Sequence, residues 1–248
     1  MSTGKGTHDC YEQYELKSYE KLFTCDGCKM KGFGQRYQCQ LCGHELHKEC
    51  RYPRTTTSHD YFPGSTFEFR DNPFTSFSYK NNRKEYSKIC DACGKDICGF
   101  SYHCEADNLD LHPCCLNLKK DLTVDEAVFS LRAKVSSKCM WCRKRKISDG
   151  KRDVPGWSYV SACKKYHVHV YCMAEIVHAA CVENGEMGLE KVDMWKLARV
   201  SGNRGSRSGG AVFGTIKSIL KIILSALLGD PTMLISNVFV ELVSRGFQ

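Results

Sequence analysis

Thiols and imidazoles recur at fixed steps along this chain. Three Cys-x2-Cys pairs, Cys25/Cys28, Cys90/Cys93 and Cys139/Cys142, are each followed by a His-x2-Cys pair, respectively His47/Cys50, His112/Cys115 and His169/Cys172. The first cysteine precedes the histidine by 22 positions in the first two copies (25 to 47 and 90 to 112) and by 30 in the third (139 to 169). Such sets suit zinc, which has no ligand-field preference and is satisfied by a tetrahedron of thiolates and imidazoles with no open position. A Cys-x2-Cys turn aims both sulfurs at one ion, and a His-x2-Cys at a helix start supplies the other two ligands. A redox dithiol requires no His-x2-Cys at a set distance, and the βαβ pattern that surrounds such dithiols is missing.

A second class of site is legible in the first copy. Cys39 and Cys42 form another Cys-x2-Cys pair, with His8 upstream and His59 downstream. We expect His8/Cys39/Cys42/His59 to form that site, with His59 serving the second copy as the alternative. In the second copy Cys104 is kept but Asp107 stands where the second cysteine should be, which allows a weaker carboxylate-containing site. The third copy has Ser161 and Lys164 there, so no second site of this pattern is expected, although Cys163, His167, His178 and Cys181 lie nearby. The count is therefore three to five zinc ions. Cys10, Cys98 and Cys114 fall outside the scheme and read as small buried residues. His44 and His103 also sit out of step with the ligand spacing.

The elements that must position these ligands recur as well. An apolar residue, Leu46, Leu111 or Val168, precedes each histidine, and Tyr37, Tyr102 and Tyr159 mark the middle of each copy. These are copies of one unit. We therefore divide the chain into zinc modules at 8–59, 60–121 and 122–182, a helix end and flexible linker at 183–210, and an apolar segment at 211–248. Within the segments between ligand sets, Ser65 to Arg70 alternates as a short strand, while 122–134 is ambiguous between strand and helix. The fold class that follows is small zinc-stabilised α+β modules in tandem, short β-hairpins plus a short helix each, with a C-terminal helical hairpin. Metal replaces much of the core that segments this short lack.

In the apolar segment, Val212, Phe213, Ile216, Ile219, Leu220, Ile223, Leu224, Leu227 and Leu228 recur at helical spacing. Gly229 stops that helix, and Asp230-Pro231 opens a second one through about Ser244. Two lysines and Asp230-Pro231 interrupt the run, which argues against a transmembrane span. The apolar faces are expected to be buried on the modules, on a protein partner, in self-association or at a membrane surface, with a partner or self-association preferred over a membrane.

Composition sets the setting. The chain has 248 residues and 17 cysteines, an odd number, and Met1 to His8 offers no apolar signal core. Metal-bound thiols in a reducing compartment, cytoplasm or nucleus, fit this better than a disulfide scaffold. The formal charge of +8 falls to about +5 once each Cys3His set is counted as three thiolates plus a divalent ion. The densest basic stretch, Arg143-Lys144-Arg145-Lys146 followed by Lys151-Arg152, makes nucleic acid an alternative partner, while a solvated knuckle offsetting the thiolates explains it as well.

The signature His8, Cys25-x2-Cys28, Cys39-x2-Cys42, x4, His47-x2-Cys50 resembles the plant cysteine/histidine-rich proteins with divergent C1 domains, distant relatives of the phorbol-ester and diacylglycerol-binding zinc finger. Tyr102-x-Cys104 and Leu109 to Cys115 resemble it too, so the likeness spans about residues 8 to 181. The resemblance implies interleaved zinc sites, the first cysteine pair sharing an ion with His-x2-Cys. It also implies a role in intracellular signalling. Diacylglycerol-binding relatives carry apolar residues, a proline and a structural glutamine in the lip between cysteine pairs. Lys29 to Gln38 here has no proline and Phe33 as the single exposed aromatic candidate, which argues against diacylglycerol. Closed zinc sites with no nucleophile, paired carboxylates or phosphate loop beside them point to a non-enzymatic interaction or adaptor protein. A lipid- or membrane-surface adaptor and a nucleic-acid binder using residues 143–152 are the alternatives.

Overall fold

The computed structural model describes residues 13–72, 88–124, 127–147, 156–175 and 209–229. Among them are three antiparallel sheets. The first holds β1 (Tyr14–Thr24), β2 (Lys31–Cys39) and β3 (Glu45–Leu46) in that order. In the second, β4 (Thr56–His59), β5 (Phe62–Arg70), β6 (Ser101–Cys104) and β7 (Leu109–Leu111) run consecutively. In the third, β8 (Asp121–Val124), β9 (Ala127–Arg132), β10 (Ser158–Ser161) and β11 (His167–His169) do the same. The stretch ambiguous between strand and helix is thus the β8–β9 hairpin. Phe129 and Leu131, two residues apart, are buried from one face of β9 as a strand requires.

The recurring tyrosine has a structural meaning. It stands opposite the apolar residue that precedes the ligand histidine in every sheet: Tyr37 pairs with Leu46, Tyr102 with Leu111 and Tyr159 with Val168. On its other side it meets Leu16, Phe69 and Leu131 respectively. Cross-strand aromatic and aliphatic pairs of this kind fix register, and register here decides where the histidine leaves the sheet. After that histidine the chain turns into α1 (Lys48–Arg51), a 3-10 turn (Pro113–Asn117), or a helical turn over 170–175.

The sheets stack head to tail through one repeated bond. The Phe100 N–H donates to the Gly27 carbonyl at 3.0 Å, and the Trp157 N–H donates to the Ala92 carbonyl at 2.9 Å. Gly27 and Ala92 hold the same position between paired cysteines, and Gly99-Phe100 and Gly156-Trp157 hold the same position before the recurring tyrosine. The second joint is thickened by rings, with Trp157 at 5.2 Å from His59, 5.3 Å from Tyr61 and 5.5 Å from Phe62. Lys95 of module 2 pairs with Glu175 of module 3 and lies over the Tyr171 ring.

A twenty-residue helix, α2 (Gly209–Leu228), lies across this stack against β2, the 3-10 turn and β8. Ile219, Leu220, Ile223, Leu224, Leu227 and Leu228 are all buried there. The modules therefore cover this part of the tail, one of the surfaces that the sequence leaves open for it. Burying six such side chains contributes roughly 10 kcal/mol of gross transfer free energy. No helix among the described residues is long and apolar enough to cross a membrane. The second helix of the expected hairpin, beyond Asp230, lies outside the described residues.

Candidate metal centres

Each Cys-x2-Cys pair folds into the same knuckle. The first cysteine N–H donates to the carbonyl five residues on, as in Cys25 to Met30, Cys90 to Lys95 and Cys139 to Lys144, at 2.9 Å each. The residue after the second cysteine then turns left-handed, as Lys29 (φ 64), Gly94 (φ 69) and Arg143 (φ 60). That turn returns the residue's own N–H to the first cysteine's carbonyl, at 2.8 to 2.9 Å. Both sulfurs are thereby left on one side, facing the end of the last strand of each sheet.

The histidine and last cysteine arrive there. Cys25/Cys28/His47/Cys50, Cys90/Cys93/His112/Cys115 and Cys139/Cys142/His169/Cys172 each bring four ligand atoms within 4.8 Å of one another. His47, His112 and His169 place Nδ1 at 3.4 Å from the second cysteine's Sγ, and Cys139 and Cys172 have sulfurs 3.9 Å apart. A tetrahedral ion with thiolate bonds of about 2.3 Å and imidazole bonds of about 2.0 Å requires edges of about 3.8 Å and about 3.5 Å, so the sets fit one ion each. Electrostatics agrees. Burial opposes charge on His47, yet the hydrogen bonds its protonated ring donates to the Cys25 and Cys28 sulfurs outweigh it and push the imidazole up to about 10. His169 is likewise pushed to about 10 by Cys139 and Cys142 against burial. A pocket of thiolates that holds its imidazole protonated favours a cation, and a divalent metal supplies one.

Around the ligands, the backbone N–H of each histidine points to the first cysteine's sulfur at 3.5 Å, in all three modules. His112 Nε2 and His169 Nε2 each reach a knuckle carbonyl, Asp96 at 3.2 Å and Arg145 at 3.3 Å, which fixes the ring and leaves Nδ1 for the metal. His47 differs, since its buried Nε2 has no hydrogen-bond partner among the described residues. Its ring lies instead beside Gly229, where a Cβ would meet His47 Cδ2 at 2.9 Å.

Cys114 is the site residue that spacing misses. It reads as a spare cysteine, but its thiol faces Cys28 of the neighbouring module, and that interaction is the largest influence holding Cys28 well below the usual thiol range. Cys114 is 1% exposed, and Asn117 Nδ2 ties the same turn to Glu49 of module 1 at 2.8 Å. Glu49, Cys114 and Tyr171 occupy one position in the three His-x2-Cys pairs, and their difference is the one sequence clue to it. The Asp26 and Asp91 carboxylates also escape a reading by spacing, though each accepts a backbone N–H of the ligand-bearing strand, from Glu45 at 2.8 Å and Asp110 at 2.7 Å.

The second sites divide. Cys39 and Cys42 form a fourth knuckle, with Cys39 N–H to His44 O at 2.9 Å, Gly43 N–H to Cys39 O at 3.0 Å and Gly43 left-handed at φ 73. His59 does not join them. Its Nδ1 accepts the Tyr61 N–H at 3.0 Å and its ring lies on Trp157, because β4 carries it into the second sheet. His8 lies outside the described residues. In module 2 the Asp107 carboxylate is taken by Ser65 Oγ and by Cys104 Sγ at 3.6 Å, and no third ligating side chain among the described residues joins that pair. In module 3 Ser161 Oγ contacts Cys163 Sγ at 3.3 Å and accepts the Tyr166 N–H at 3.1 Å. Neither place gathers three ligating side chains among the described residues. His103 is held by Asp110 and Glu105 at 2.9 Å each. His167 has Nδ1 at 3.2 Å from the Ser137 carbonyl and is pushed down to about 4 by burial and by His169, while His178 and Cys181 lie outside the described residues. Phe33, expected as an exposed lip aromatic, is 5% exposed, since β2 turns it into the core.

No protein-family model, no curated protein and no solved structure matches this chain.

Proposed function

We propose that this chain is a zinc-stabilised, non-enzymatic interaction protein whose stacked modules form a rigid scaffold. The observation that carries it is the closed geometry of three Cys3His sets, in which protein atoms supply every tetrahedral position. Soft thiolates with imidazole in a tetrahedron select zinc over magnesium, calcium or manganese. Catalytic zinc keeps a position for water, and these centres use theirs on cysteine and histidine. The knuckles and the interleaved Cys39/Cys42 pair support the likeness to divergent C1 domains, and with it a role in intracellular signalling in the cytoplasm or nucleus. Buried Phe33 removes the aromatic that a diacylglycerol lip would present.

Metal analysis of the purified chain tests the foundation. At least three zinc ions per chain are expected, and Cys93→Ser or Cys142→Ser lowers the count by one. Fewer than three in the unmodified chain refutes the framework, and turnover that tracks zinc content refutes the non-enzymatic role.

A further inference from the structure

Modules 1 and 2 each seat their successor on a small residue. A Cβ added at Gly27 would meet the Phe100 ring at 2.6 Å, so this position must stay small where another module docks. Ala92 fills the equivalent place under Trp157. In module 3 that place belongs to Trp141. A Cβ at Gly27 already collides with the docking ring, so an indole at this position is incompatible with the same seat, and among the described residues no further module docks there.

The end is also the open centre. Cys28 and Cys93 are fully buried under the next module, whereas Cys142 is only partly covered and Trp141 is half-buried. Charge distinguishes it as well. The span 127–147 contains no acidic residue, and Lys138, Arg143, Lys144, Arg145 and Lys146, all exposed, flank the knuckle. Met140 stands where the first two knuckles carry Asp26 and Asp91.

We propose that this third knuckle docks single-stranded nucleic acid, with the Trp141 indole stacking on a base and the flanking lysines and arginines holding phosphates. An aromatic platform inside a positive groove is how proteins hold single strands without reading sequence. A duplex reader would present a helix or ribbon to the groove, and the knuckle is a tight turn. A lipid surface would need apolar side chains to insert. The exposed large hydrophobic residues among those described are Leu16, Leu41 and Tyr52, all in module 1. The inference rests on reading the chain as a binding protein.

Fluorescence anisotropy of the zinc-loaded full chain with a labelled oligouridine of about 12 nucleotides, within the span of one such site, tests it. Binding weakens with salt. Trp141→Ala weakens it about five- to hundredfold at every salt concentration, while Trp141→Phe keeps most of it. Lys144→Glu with Lys146→Glu flattens the plot of log K against log salt by about 1.4, about 0.7 for each phosphate that is no longer neutralised. No binding, equal binding by all variants at full zinc content, tighter binding of the matching duplex, or recruitment only to phosphatidylserine vesicles each overturns the proposal. None of these results touches the zinc count on which the scaffold reading stands.

Discussion

Gly99→Ala is the substitution that isolates the joint between modules. A Cβ there would lie inside the van der Waals shell of the Gly27 carbonyl oxygen and within 3.1 Å of its carbon, where about 3.5 Å is the closest comfortable approach. The neighbour is backbone held in the knuckle, so it cannot swing away, and the modules must part. The overlap costs about 1–3 kcal/mol, and losing the Phe100 N–H bond to Gly27 costs about 1 kcal/mol more. Lower unfolded-state entropy returns about 0.7 kcal/mol. The balance, about 1.3–3.3 kcal/mol, makes the joint open about 10- to 250-fold more often. Cys114 reports that opening directly, because it is 1% exposed and faces Cys28 across the joint. Mass-resolved thiol labelling of native protein should show Cys114 alkylated faster by that factor, while exposed Cys163 labels as before. Gly43→Ala is the control: at φ 73, with nothing within 4 Å of its Cβ, it costs about 1 kcal/mol locally and leaves Cys114 protected. Unchanged Cys114 labelling in zinc-loaded Gly99→Ala would refute the docking argument.

Cys114→Ala should speed loss of one zinc ion to a chromogenic chelator several-fold, with Cys114→Ser restoring part of the difference because a hydroxyl still faces Cys28; equal release by all three proteins would leave Cys114 as filler. Zinc affinity should rise with pH, since the ion must displace protons from thiols and from imidazoles that the free pockets hold up to about pH 10, and a competition titration between pH 6 and 8 reads the proton release. Burial holds His59 below its usual range, so between its folded value and 6.5 the unfolded chain binds more protons. The His59 contribution is complete above pH 6.5 and is lost as pH falls, and His59→Phe should flatten that part of a urea-stability profile. Tyr159→Phe removes the buried hydroxyl that donates to the Lys119 carbonyl at 2.6 Å and should lower stability by about 1 kcal/mol in the same assay.

The ligand sets were legible because zinc demands residue types at spacings that local turns impose, and local turns are written locally. The Leu-His and Val-His dipeptides and the central tyrosines announced the sheet register for the same reason, since each tyrosine meets its partner across a short hairpin. What lay hidden was set between modules. Gly99-Phe100-Ser101-Tyr102 and Gly156-Trp157-Ser158-Tyr159 repeat in plain view, yet their purpose depends on Gly27 and Ala92 some 70 residues earlier in the chain. His59 misled because distance along the chain made it available to Cys39 and Cys42, whereas strand pairing took it to Trp157. The tail's periodicity gave a helix correctly but left its covering surface open, because amphipathic spacing records a buried face and not what buries it.

The placement of Gly229 against His47 bears on the order in which the molecule is completed. Synthesis delivers module 1 first, but the turn carrying Cys114 and the end of α2 seal its centre, and these emerge far later. The third centre takes all four of its ligands from within 139–172. A nascent chain would therefore hold its earliest metal site accessible for exchange until its last helix settles. Ribosome-bound intermediates arrested before residue 209 should lose the first ion to a chelator while retaining the third.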